Sequence, residues 1–170
     1  MNGLTGARRC ASPVRIALAP LLGGDIDGAW WPHTGSVAAE LPALIEILHK
    51  PLGEIIDIAV NWSATEGPPD LKSMRSALSM PGWLGRRQRL MAVGGRRARA
   101  KLLVVPCLTT PALGLMVLRR AAARTIPDGQ RNTQVFLTAD SVVRAAQVES
   151  ASWATQAAQS VHNQQPSRDS

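Results

Sequence analysis

The stretch VRIALAPLLGGDIDGAWWPHTGSVAAELPALIEIL, residues 14–48, decides the fold. At its start Val14, Ile16 and Leu18 alternate with Arg15, Ala17 and Ala19, the period-two pattern of a strand with one buried face. Pro20 and Gly23-Gly24 then turn the chain, and Ile26 to Trp31 reads as a second extended segment ended by Pro32. Next, Val37, Leu41, Leu44, Ile45 and Leu48 recur at helical spacing and share one stripe. Ser36 suits the N-cap, because its hydroxyl can accept from a free first-turn amide. Pro42 lies inside the pattern, so the expectation is a kink there or a helix whose firm part starts near Glu40, with Lys50-Pro51 as its stop.

Working outward, Ile56, Ile58, Val60 and Trp62 alternate with Ile55, Asp57, Ala59 and Asn61 as a further strand. Residues 63–82, with Gly67-Pro68-Pro69 and several serines, read as a long irregular connection. Residues 87–105 suggest a hairpin turning at Gly94-Gly95. Its core face would carry Met91, Val93, Ala98, Leu102 and Val104, while Arg97, Arg99 and Lys101 share the other face with Gln88, Leu90 and Ala92. Thr110-Pro111 opens a helix to about residue 124, closed by Arg119, Arg120 and Arg124 where the dipole favours cations. Val135 to Leu137 reads as a short strand, and Ala139 to Gln159 has helical propensity without a strong apolar stripe. The expected architecture is α+β, a mainly antiparallel sheet with two helices packed on one face. The expected domains are a disordered leader at 1–12, one α+β domain at 13–126, and a C-terminal extension at 127–170, partly helical with a disordered end.

The charge is uneven. The 170 residues carry a formal net charge of +7, with 16 Arg against 3 Lys. Residues 1–70 hold four basic and eight acidic side chains, 71–127 hold twelve basic and none acidic, and 128–170 hold three basic and four acidic. A block of that sign attracts phosphate backbones or anionic lipid. The competing explanation is codon bias of a GC-rich genome, which also fits the 25 alanines, and it is preferred here. The 45% apolar content excludes a wholly unstructured chain, and two distant cysteines, Cys10 and Cys107, build no disulfide framework. Residues 102–118 run for 17 positions without charge, at the lower limit for a membrane span. Pro106 and Pro111 divide that run, so a strand, a loop and a helix explain it better. A cytoplasmic protein without a membrane association is expected.

Three pieces, VRIALAP at 14–20, DGAWWP at 27–32 joined to AAELPALIEIL at 38–48, and LLVVP at 102–106 before a Thr/Pro-initiated helix, resemble a small actinobacterial domain of unknown function. The resemblance spans residues 14–125. It implies a fold and carries no activity, substrate or cofactor. Between Pro69 and Leu102 this chain departs from the pattern.

For chemistry, Asp25, Asp27, Trp30, Trp31 and His33 are the densest group. Two carboxylates and an imidazole near an aromatic wall could bind a ligand, yet Asp25 and Asp27 beside Gly24 and Gly28 also look like turn formers bonding local amides. The two tryptophans point to opposite faces of an extended segment, one into the core and one at the rim. If a pocket exists, Asp27, Trp30, Trp31 and His33 are its candidate ligand-binding residues. No catalytic set, metal cluster, phosphate loop or dinucleotide fingerprint is present, so neither a catalytic role nor a cofactor is expected. Two readings result. One is a non-catalytic binding or accessory domain for a small molecule or protein, using the DGAWWP region. The other, less favoured, is weak sequence-independent nucleic-acid binding through Arg86, Arg87, Arg89, Arg97, Arg99 and Lys101, limited to phosphate contacts because Trp83 is the block's single aromatic.

Overall fold

Strands β1 (Arg15–Leu18) and β2 (Gly28–Trp31) form an antiparallel pair, with Ile16 opposite Trp30 and Ala17 opposite Ala29. They belong to a computed structural model that describes residues 13–62 and 88–163. Expectations for 1–12, for the connection from 63 and for the end of the chain lie outside the described residues. After β2 come α1 (Val37–Leu52), β3 (Ile55–Val60), β4 (Leu90–Gly95), β5 (Arg99–Val104), α2 (Pro111–Ala121), a 3₁₀ turn at Asp128–Gln130, and α3 (Gln134–Asn163). The charge-free run of residues 102–118 is divided between β5, a loop and α2. Among the described residues no helix is long and apolar enough to cross a membrane.

The strand order is β1-β2-β5-β4-β3. Pairings β1/β2, β5/β4 and β4/β3 are antiparallel, and β2/β5 is parallel, so the α+β sheet is mixed. The parallel pair arises because α1 carries the chain across the sheet and the β3-β4-β5 meander returns β5 to the side of β2.

The expected placement of two helices on one face is corrected: helices cover both faces. Trp30, Leu102 and Val104 meet Leu44, Leu48 and Leu52 of α1, whereas Ala29, Trp31, Leu103 and Val105 meet Val117, Ala121, Val142 and Val143 of α2 and α3. The cause is in β2 and β5 themselves. GAWW of β2 and the LLV end of β5, continued by Val105, are apolar at every position, and strand backbone apolar on both faces needs cover on both.

Four local expectations also change. The hairpin turns at Arg96-Arg97, where the Gly95 N–H donates to the Ala98 carbonyl over 2.9 Å. Gly94 and Gly95 lie in β4 and serve close approach: a Cβ at Gly95 would sit 2.2 Å from the Leu52 carbonyl oxygen, and one at Gly94 would sit 2.1 Å from Asp57 Oδ1. Helix α1 continues through Pro51 and stops at Gly53, whose φ of 77° is in the left-handed region that favours glycine. Residues 135–137 open α3 and form no strand. In β3, the register shifts between Ile55 and Asp57, so Ile56, read in one stripe with Ile58 and Trp62, is 66% exposed. Ile58 and Trp62 keep their contact with the α1-side core.

Candidate functional site

Asp27 is a buried carboxylate whose oxygens are taken up by backbone. It is 2% exposed. Its Oδ1 accepts from the amides of Gly23 and Gly24 at 2.8 and 3.0 Å, and its Oδ2 accepts from the Lys101 amide at 2.9 Å. The Asp27 N–H in turn donates to the Lys101 carbonyl at 2.8 Å. One side chain therefore fixes the loop before β2 and ties it to Lys101 in β5.

Trp30 and Trp31 are both buried, at 1% and 3% exposure, one in each core, so neither stands at a rim. The Trp31 indole N–H donates to the Cys107 carbonyl at 3.3 Å, and the Arg15 guanidinium lies 3.6 Å from the ring centroid. Arg15 also donates to the carbonyls of Trp31 and Pro32, at 3.1 and 2.7 Å. On the helix side Gly114 makes room for the ring: a Cβ there would lie 2.5 Å from it.

Trp30 and His33 meet in a cleft of about 230 Å³ between the start of β1, the loop after β2 and the first turns of α1. Val14, Ala39 and Ala43 complete its apolar wall, and Thr34 and Glu40 join His33 on the polar side. Asp27 and Trp31, nominated for the same site, do not line this cleft. Glu40 organises the loop. Its Oε1 accepts from the His33 amide at 2.7 Å, and its Oε2 accepts from the Thr34 amide and hydroxyl at 2.8 and 2.9 Å. Partial burial pushes the Glu40 carboxyl up, but the hydrogen bonds from His33 and Thr34 outweigh it and hold the group below its ordinary range. His33 Nε2 is 2.9 Å from the Pro13 carbonyl oxygen, which ties the segment before β1 to the loop after β2.

Val14, Thr34, Ala39, Glu40 and Ala43 line the cleft and were not among the candidates drawn from the sequence. Two signals were there. An acid in the first turn of a helix is placed to capture preceding loop amides, and alanines four apart beside an apolar stripe leave a recess.

The basic hairpin is largely engaged by its own neighbours. Arg96 pairs with Glu54 at 2.5 Å, and Arg99 pairs with Asp57 at 3.3 Å. Arg89 lies 5.6 Å from the Trp62 ring centroid. Arg97 packs on Gly53, where a Cβ would come within 3.2 Å of its Nε. Arg99 and Lys101 share the parity of Leu103 and Arg89 that of Met91, so these cations divide between the two sheet faces. Arg86, Arg87 and Trp83 are outside the described residues. Among the described residues no three His, Cys, Asp or Glu side chains gather in a way that could hold a metal ion.

Among known proteins, one protein-family model matches residues 15–121, and it describes a family of unknown function, DUF5994. No curated protein and no solved structure matches the chain.

Proposed function

The chain belongs to the DUF5994 family of unknown function, and from that premise we propose that it is a non-catalytic binding domain. Its ligand site is the cleft over Trp30, bounded by His33 and Glu40. The cleft's form carries this reading: an apolar floor with a few convergent polar groups, built where a strand end and a helix start hold each wall. Asp27 and Trp31 act behind the site, as supports for the loop and for β2. The alternative, nucleic-acid binding through the arginine hairpin, has less support. Arg99 is held by Asp57, Arg89 lies over Trp62, and the nominated cations split between faces.

The test is a fragment panel read by thermal shift on the wild type and on Ala43→Trp, which fills the cleft from the solvent side of α1. Fragments that bind raise the wild-type melting temperature in a concentration-dependent way and leave the variant unmoved. A panel without effect on the wild type overturns the reading.

A further inference from the structure

We infer that the cleft takes a small organic amine, a primary ammonium on a short apolar body. This rests on the binding reading above and names its ligand class. The polar wall of the cleft offers acceptors and has no side-chain proton left to give. A backbone carbonyl only accepts, so His33 Nε2, 2.9 Å from the Pro13 carbonyl oxygen, is the nitrogen that carries hydrogen, and Nδ1 of the neutral ring is an acceptor. The Thr34 hydroxyl gives its one proton to Glu40 at 2.9 Å and takes one from the Ser36 amide at 3.3 Å. The Glu40 carboxylate has none to give. Its Oε2 already receives two bonds from Thr34, while Oε1 receives one and keeps a lone pair open.

Every side-chain proton on this wall is therefore committed, and what remains is a negative charge with unfilled acceptors. The first-turn amides of α1 are donors nearby, yet the Glu40 charge stands beside them and opposes an anionic ligand. A ligand that matches brings positive charge and several protons, as an ammonium does. The opposite wall is Val14, Trp30 and the methyl groups of Ala39 and Ala43. The space of about 230 Å³ is below the usual range for drug-sized ligands, so the body is a single ring or a short alkyl group.

The experiment titrates the full chain at pH 7 with three isosteric probes, phenethylamine, 2-phenylethanol and phenylacetate, by calorimetry or ligand-observed NMR. The expected result is at least tenfold tighter binding of the amine than of the alcohol, with no binding of the acid. Glu40→Gln should remove the amine preference. Because that variant also alters the loop, His33→Phe is the second: it keeps an aromatic ring but deletes both nitrogens. Loss of the Nε2 bond to Pro13 should weaken all probes alike, while loss of the Nδ1 acceptor should weaken the amine more than the alcohol. Equal affinity for amine and alcohol, or a preference for phenylacetate, overturns the amine assignment and leaves the cleft as a binding site. Failure of all three probes, together with an unresponsive fragment panel, overturns both.

Discussion

Asp27 reads from the sequence either as a turn former bonding local amides or as a ligand-binding carboxylate, and the backbone amides of Gly23, Gly24 and Lys101 take up its oxygens. Asp27→Ala strands the amides of Gly23, Gly24 and Lys101 in a buried place, with an expected loss of about 3 kcal/mol in urea unfolding. Asp27→Asn should recover only part of that, since its NH₂ would face an amide N–H on one side. Gly114 is the second telling residue. In a helix interior Gly→Ala ordinarily adds about 1 kcal/mol of stability. Here the added methyl meets the Trp31 ring, so Gly114→Ala should instead destabilise by about 1–3 kcal/mol, read by the same unfolding curve. Glu40 sets a pH dependence. Its folded-state carboxyl is depressed, so its contribution is complete above the unfolded value of about 4.3 and is lost as pH falls through the folded value. Thermal stability measured from pH 7 down to 3 should fall less steeply in Glu40→Gln than in the wild type.

At the scale of elements, β1, β3, α1 and the β4/β5 pairing are legible because each follows one period. β2 explains what was not legible. Its four residues are apolar throughout, a pattern that periodicity alone cannot assign to one face, and its two tryptophans enter two different cores. The glycine pair of β4 misled in another way. Turn chemistry favours Gly-Gly, but here the end of α1 sits against Gly95, and the turn falls at Arg96-Arg97. The α3 stripe was missed because it is built of small residues, Ala139, Val143 and Ala146, which bury little area each yet let α2 approach closely. The α2/α3 pair is also clamped by Asp140, which receives Arg120 Nε at 2.9 Å and pairs with Arg144 at 2.9 Å. Asp140→Asn should cost about 1–2 kcal/mol, because the carboxylate is mostly shielded from solvent.

For the whole molecule, the segregated charge of the sequence is partly resolved by folding. Acids of the N-terminal half, Glu54 and Asp57, meet the arginines of the basic hairpin. The candidate site was legible only as a neighbourhood. DGAWWP marks where it lies, but the residues that shape it come from α1 and from the segment before β1, and no linear motif joins them. Family membership extends to residue 121, whereas α3 begins at Gln134 and supplies Ala139, Val142, Val143 and Ala146 to the core. A chain ended after Ile126 should therefore lose cooperative unfolding, seen as a broad, featureless thermal transition, because Val117 and Ala121 lose their cover. The most direct test of the binding account is a fragment titration of the ¹⁵N-labelled full chain followed by backbone amide shifts. A ligand seated in the cleft should give saturable shifts concentrated at His33, Thr34, Ala39 and Glu40. Shifts centred on residues 96–101 instead, or none that saturate anywhere, would contradict the binding reading.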